Sequence, residues 1–119
     1  WNIPFNGMTV VLNTTTDKLM ANSNTKKLIY EMMIEVIEAA QHAGVKNIDS
    51  SFADKTIDMT NAMPPYSPSM KLDYDFKRPM EIKYLYSRSI EEAKKNGYNM
   101  VKAAMLEKQL QFIESQYLK

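Results

Sequence analysis

The sequence predicts an all-α, bundle-like domain, and three features carry that expectation. Apolar residues recur at three- and four-residue spacing over long stretches, the mark of helices with one face turned inward. Gly44, Gly97 and the Pro64-Pro65 pair fall between those stretches, where helices are expected to stop. No stretch alternates β-branched with polar residues; the one strand-like run, Met8 to Leu12, reads as well as a helix end. At 119 residues the chain is expected to be one domain, 1–119, burying about two thirds of its unfolded surface without metal or disulfide.

At the amino end, Asn2 and Asn6 lie four apart and would share one face of a helix. Pro4 between them is tolerated in a first turn but not in a helix interior, so the stretch either kinks or adapts around it. The Asn13–Thr16 cluster can cap a short helix from Asp17 to Ala21. Ser23 or Asn24 can cap the next, in which Leu28, Ile29, Met32, Met33, Val36, Ile37 and Ala40 form one stripe ending near Ala43. Asp49, Ser50 or Ser51 caps a helix carrying Phe52, Ile57, Met59 and Met63 up to Pro64.

Residues 67–79 read as a proline-bounded loop. After it, Ile82, Leu85, Tyr86, Ile90 and Ala93 describe a helix stopped at Asn96-Gly97, and a last helix is expected from about Asn99 to Tyr117. Leu106, Leu110, Ile113 and Tyr117 form its stripe beside Val101, Met105 and Phe112, able to pack within the bundle or against a second subunit.

Composition excludes several kinds of chemistry. There is no cysteine, hence no thiolate nucleophile and no cysteine-bound metal, which is compatible with a reducing cytoplasm. A net charge of +1 without a long basic run argues against nucleic acid as a partner. No apolar run approaches the roughly 20 residues that cross a bilayer. Three glycines cannot build a Gly-x-Gly-x-x-Gly pyrophosphate turn. His42, the single histidine, sits at a helix end where the dipole favours it, and the ten methionines fall mainly on apolar stripes as core filler.

Polar residues gather in two places. Ser67-Pro68-Ser69-Met70-Lys71-Leu72-Asp73 is followed by Arg78-Pro79-Met80-Glu81-Ile82. By local rules alone, Ser67 caps a helix, Pro68 begins it, Asp73 pairs with Arg78, Lys77 or helix amides, and Glu81 is a first-turn acid. The passage resembles the Ser-Met-x-x-Asp…Glu-Ile segment of ketopantoate reductases, in their C-terminal domain. Trp1 to Thr9 resembles the Asn-x-x-x-Asn-x-x-Thr stretch of the same domain.

That resemblance, which covers nearly the whole chain, implies substrate-binding roles for Asn2, Asn6, Thr16 and Ser69. It implies a cofactor contact for Glu81, with Asp73 and Arg78 holding the loop in shape. The cofactor would be NADPH, bound mainly by an N-terminal Rossmann domain expected to precede residue 1. The family's general-acid lysine would also precede Trp1, so no catalytic residue is expected within this chain, and the chain alone is expected to be inactive. The implied reaction is hydride transfer to ketopantoate, giving pantoate for the coenzyme A pathway. Pro4 and Thr16 depart from the family pattern and leave room for another 2-keto or β-hydroxy acid. The rival from a different class is a non-enzymatic helical dimerisation module. It would scatter Asn2, Ser69 and Glu81, whereas a reductase would gather Asn6, Ser69 and Glu81 around one concavity.

Overall fold

Asparagine and aspartate side chains start two of the helices and left-handed glycines follow two of them in the computed structural model, which describes residues 1–118. Helix α1 spans Asn2–Val11, α2 Thr16–Ala21, α3 Ser23–His42 and α4 Ser50–Asn61. The short α5, Ser69–Asp75, follows the prolines. A π-helical turn over Lys83–Ser87 then runs into α6, Arg88–Lys95, and α7 covers Val101–Tyr117. Among the described residues there is no strand, as the sequence predicts.

The cap of α3 is Asn22, one residue ahead of the expected pair, its side chain accepting from the Asn24 N–H at 2.9 Å. Gly44 closes that helix at φ +93°, a conformation a side chain would strain. Asp49 caps α4 by accepting from the Ser51 N–H at 2.9 Å, and the Ser51 hydroxyl foremost, then this N–H, hold its carboxyl below the usual aspartate pKa. Pro4 falls in the first turn of α1, where its missing N–H costs nothing, and the Met8–Leu12 run continues that helix to Val11.

Helix α1 is the hub, packed against α7, α5, α3 and the π turn. Phe5, Met8 and Val10 join Ile29, Met32, Ile37, Leu106 and Leu110 in the core. Gly7 is required here: an added Cβ would meet the Tyr86 hydroxyl and would stand 2.8 Å from Leu106 Cδ1. Tyr86 is fully buried and donates its hydroxyl to the Ile3 carbonyl. Burial raises its pKa, only partly opposed by the Gly7 backbone.

Three expectations need correction. The expected 67–79 loop contains α5, which begins at Ser69, one residue after the start that local rules give, and Ser67 does not cap it: Asn6 of α1 takes the Met70 N–H instead. The segment after Pro79 opens as a π turn, with the Arg88 N–H bonded five residues back to the Lys83 carbonyl. Phe52 and Met59 of α4, and Val101, Met105 and Phe112 of α7, are exposed, so the buried stripes are narrower than their hydrophobicity suggests. No helix among the described residues is long and apolar enough to cross a membrane.

Candidate active-site surface

A buried amide joins the two polar segments. Asn6 is 3% exposed, its Nδ2 donating to the Asn2 carbonyl at 2.9 Å while its Oδ1 accepts from the Met70 N–H at 3.0 Å. The bond to Met70 satisfies one of the free amides at the start of α5, a helix without a capping side chain of its own. Asn2 and Ser69, both exposed, are each thereby placed one link from Asn6.

Thr16 is 2% exposed and grips the other side of the same strap. Its N–H and its Oγ1 both donate to the Tyr66 carbonyl, each at 3.2 Å. Aromatic rings close this end: Trp1 lies 4.8 Å from Phe5 and 5.8 Å from Tyr66, centroid to centroid. The Trp1 indole N–H donates to Thr60 Oγ1 at 3.0 Å. Sequence reasoning missed Trp1 and Tyr66; the signal was there in an aromatic residue beside each candidate polar segment.

Asp73 and Arg78 pair as expected, with Nε 3.1 Å from Oδ1 and the Arg78 N–H on the Asp73 carbonyl at 2.7 Å. The loop after them is fastened to α7. Tyr117 donates its hydroxyl to the Arg78 carbonyl at 2.9 Å, and Glu114 Oε2 accepts from the Met80 N–H at 2.7 Å. Burial foremost, then the charges of Glu114 and Asp73, raise the Tyr117 pKa. Lys77, at φ +57°, sets its ammonium 4.5 Å from the Tyr74 ring and 5.4 Å from that of Tyr117.

Glu81 is exposed at the end of this loop, between the buried Met80 and Ile82. Its backbone carbonyl accepts from the Leu85 N–H at 2.9 Å, but no hydrogen bond among the described residues ties its carboxylate to the Asn2–Asn6–Ser69 group. Bonds from Asn6 thus join the backbone at Asn2 to the residue after Ser69 without involving either candidate's side chain, and Glu81 lies beyond the π turn packed on α1. A separate groove of about 460 Å³, lined by Ile3, Val36, Ala39, Ala40, Arg88 and Glu92 among others, includes none of the seven predicted residues.

Chemically, Asn2 offers one donor group and one acceptor and Ser69 a hydroxyl, a set suited to a carboxylate or hydroxyl of a small acid. The family model described as "Ketopantoate reductase PanE/ApbA C terminal" matches residues 1–114. The chain belongs to the ketopantoate reductase family. It is 41% identical over 114 residues to a 2-dehydropantoate 2-reductase from Nostoc sp., covering 96% of this chain and 35% of that protein. The crystal structure of a 2-dehydropantoate 2-reductase from Geobacter metallireducens superposes with a TM-score of 0.89 at 32% identity, over 93% of this chain and 37% of that one. The enzyme of that name from Methylococcus capsulatus gives 0.90 at 20% identity, over 100% and 41%. The chain thus spans little more than a third of the ketopantoate reductases it matches, and its all-α fold is that of their C-terminal helical domain.

Proposed function

We propose that this domain forms the substrate-side half of an interdomain cleft in an NADPH-dependent 2-dehydropantoate 2-reductase. The observation that carries the reading is the Asn6 bridge, which ties the Asn2 carbonyl to the Met70 N–H and so joins the two segments that bear the exposed Asn2 and Ser69 side chains.

In this reading Asn2 and Ser69 bind the carboxylate and hydroxyl ends of ketopantoate, and so orient its 2-keto carbon. Bound NADPH supplies the hydride. Gly44 and Gly97 close helices and Gly7 is filled against Tyr86, so the domain itself has no pyrophosphate cradle; Glu81, exposed at the loop end, is the group that would touch the cofactor. A Rossmann domain upstream of Trp1 would hold the rest of NADPH and would bring the lysine that protonates the nascent alkoxide. Asp73 and Arg78 keep the loop in shape through their pairing. The chain 1–119 alone should bind NADPH weakly and turn over no substrate.

The experiment is steady-state NADPH oxidation by the longer protein that carries the upstream sequence, with ketopantoate as substrate. Ser69→Ala should raise KM for ketopantoate roughly fivefold, the value of one neutral hydrogen bond, with NADPH affinity unchanged. Absence of ketopantoate-dependent oxidation in the wild-type protein would refute the reading.

A further inference from the structure

Between α3 and α6 the described residues leave open the groove of about 460 Å³. It exists because small side chains face one another there: Ala39 and Ala40 on α3, Ala43 at its end, and Ala93 on α6. Val36 and Met100 continue the apolar lining, and charge enters only with Arg88 and Glu92, both exposed. Larger apolar side chains in place of the alanines would fill this space from within, whereas alanine leaves it to be filled from outside.

Ile3, in the first turn of α1, lines the same groove. Any chain leading into Trp1 therefore arrives two residues from it. Pro4 has no N–H for the carbonyl four positions back, which belongs to the residue ahead of Trp1, so that chain is released from the line of α1 at this point. The matched family model is that of a C-terminal domain, and the chain covers only 35% of the Nostoc relative and 37% of the Geobacter one, so most of a relative's length would enter here.

We infer that the groove seats the chain immediately upstream of Trp1, an apolar stretch within about ten residues of it, and so fixes the N-terminal part of the longer protein against α3 and α6. At up to about 3.5 Å per residue, ten residues reach roughly 35 Å, against principal extents of 41 × 34 × 20 Å for the whole domain. A second copy of the chain fits the groove less well. A two-fold contact sets a surface against its own image, and two concavities do not fill each other; an apolar ridge of a neighbour seated there would make a head-to-tail contact that does not close on two molecules. A small polar acid finds few partners on walls this apolar. The inference needs the longer chain of the family and not the proposed reaction.

Photo-cross-linking in the longer protein tests this. Ala43→benzoylphenylalanine and, separately, Glu92→benzoylphenylalanine place a photoreactive side chain on either wall, each at an exposed residue. Phe112→benzoylphenylalanine, exposed on α7 and outside the groove, is the control. Irradiation should join positions 43 and 92 to peptides within about ten residues ahead of Trp1, with a yield at least roughly fivefold above the control. In a mixture of isotopically light and heavy protein, the joined peptides should come from one chain. Cross-links between light and heavy copies would assign the groove to a second molecule and overturn the inference. So would cross-links confined to 1–119 or to upstream parts remote from Trp1, and so would none at all.

If the bulky probe disturbs packing, Ala43→Cys decides. Its alkylation in the longer protein, read on the peptide that carries residue 43, should be slower by roughly tenfold or more than that of Ala21→Cys on α2, although both positions are exposed in the domain by itself. Equal rates would overturn the inference. Neither readout requires substrate: a protein that reduces no ketopantoate and still gives the cross-link refutes the proposed function alone, while an active reductase with an open groove refutes this inference alone.

Discussion

The two segments that carry the candidate residues are held in opposite ways. The strap bearing Ser69 is pinned from beneath by neutral, buried hydrogen bonds to α1 and to Thr16. The loop leading to Glu81 is pinned from outside by charged and half-exposed groups, namely Glu114, Tyr117 and the Asp73–Arg78 pair. The amide and threonine hydroxyl bonds beneath the strap are shielded from salt and do not titrate, whereas exposed charged ones are screened and titrate. On the proposed reading, the substrate contact at Ser69 is thereby fixed and the cofactor contact at Glu81 adjustable.

The largest effect should come from the foundation of the strap. Gly7→Ala forces a methyl against Tyr86 and Leu106 and should cost about 1–3 kcal/mol in denaturant unfolding, with faster exchange at Met70 but not at Met80. Equal disturbance of both amides would erase the distinction between the regions.

Alkaline pH should separate them next. Tyr86 and Tyr117 each donate a hydroxyl to a backbone carbonyl, Ile3 in the first case and Arg78 in the second. Burial raises both pKa values above that of a free tyrosine, about 10, so each bond is fully present below that pH and is lost as pH climbs through the folded-state value. Tyr117, less buried, should titrate first, freeing the loop while α1 stays anchored; phenol chemical shifts followed by NMR would check the order. Were Tyr86 to titrate first, the strap would be the softer region.

Glu114→Gln should cost about 0.5–1.5 kcal/mol, as a charge-assisted bond to the Met80 N–H becomes a neutral one. Amide exchange should quicken at Met80 and not at Met70. The smallest effect belongs to Asp73→Asn, about 0.5 kcal/mol or less and vanishing in high salt, because Arg78 is exposed. A salt-independent loss above that range would mean the pair does more than shape the loop.

Much of this arrangement was legible in the sequence. The stripe of α3, the Asp49 cap and the glycine stops at 44 and 97 follow from local rules, and the Asp73–Arg78 pair followed from charge and spacing. Local rules placed a helix start at Ser67-Pro68 but could not name its true cap, because Asn6 bonds Met70 across sixty-four residues, beyond any local pattern. The π turn was hidden because Lys83–Ser87 reads as an ordinary helix, and the bond that Tyr86 makes from it to the Ile3 carbonyl is tertiary. For Asn6 and Thr16, polarity was visible but burial was not, because burial depends on how α1, α2 and the strap pack together.

The contact of Gly7 with Tyr86 also constrains how this domain can vary over time. The bare backbone at 7 and the ring at 86 share one volume, so neither position is free to change alone. A relative that carries a side chain at the first position should carry something smaller than tyrosine at the second, and should then lack the hydroxyl that reaches the Ile3 carbonyl. The order of substitution matters along such a lineage: shortening 86 first leaves a tolerable void, while enlarging 7 first leaves a clash, so the path between the two pairings should run in one direction.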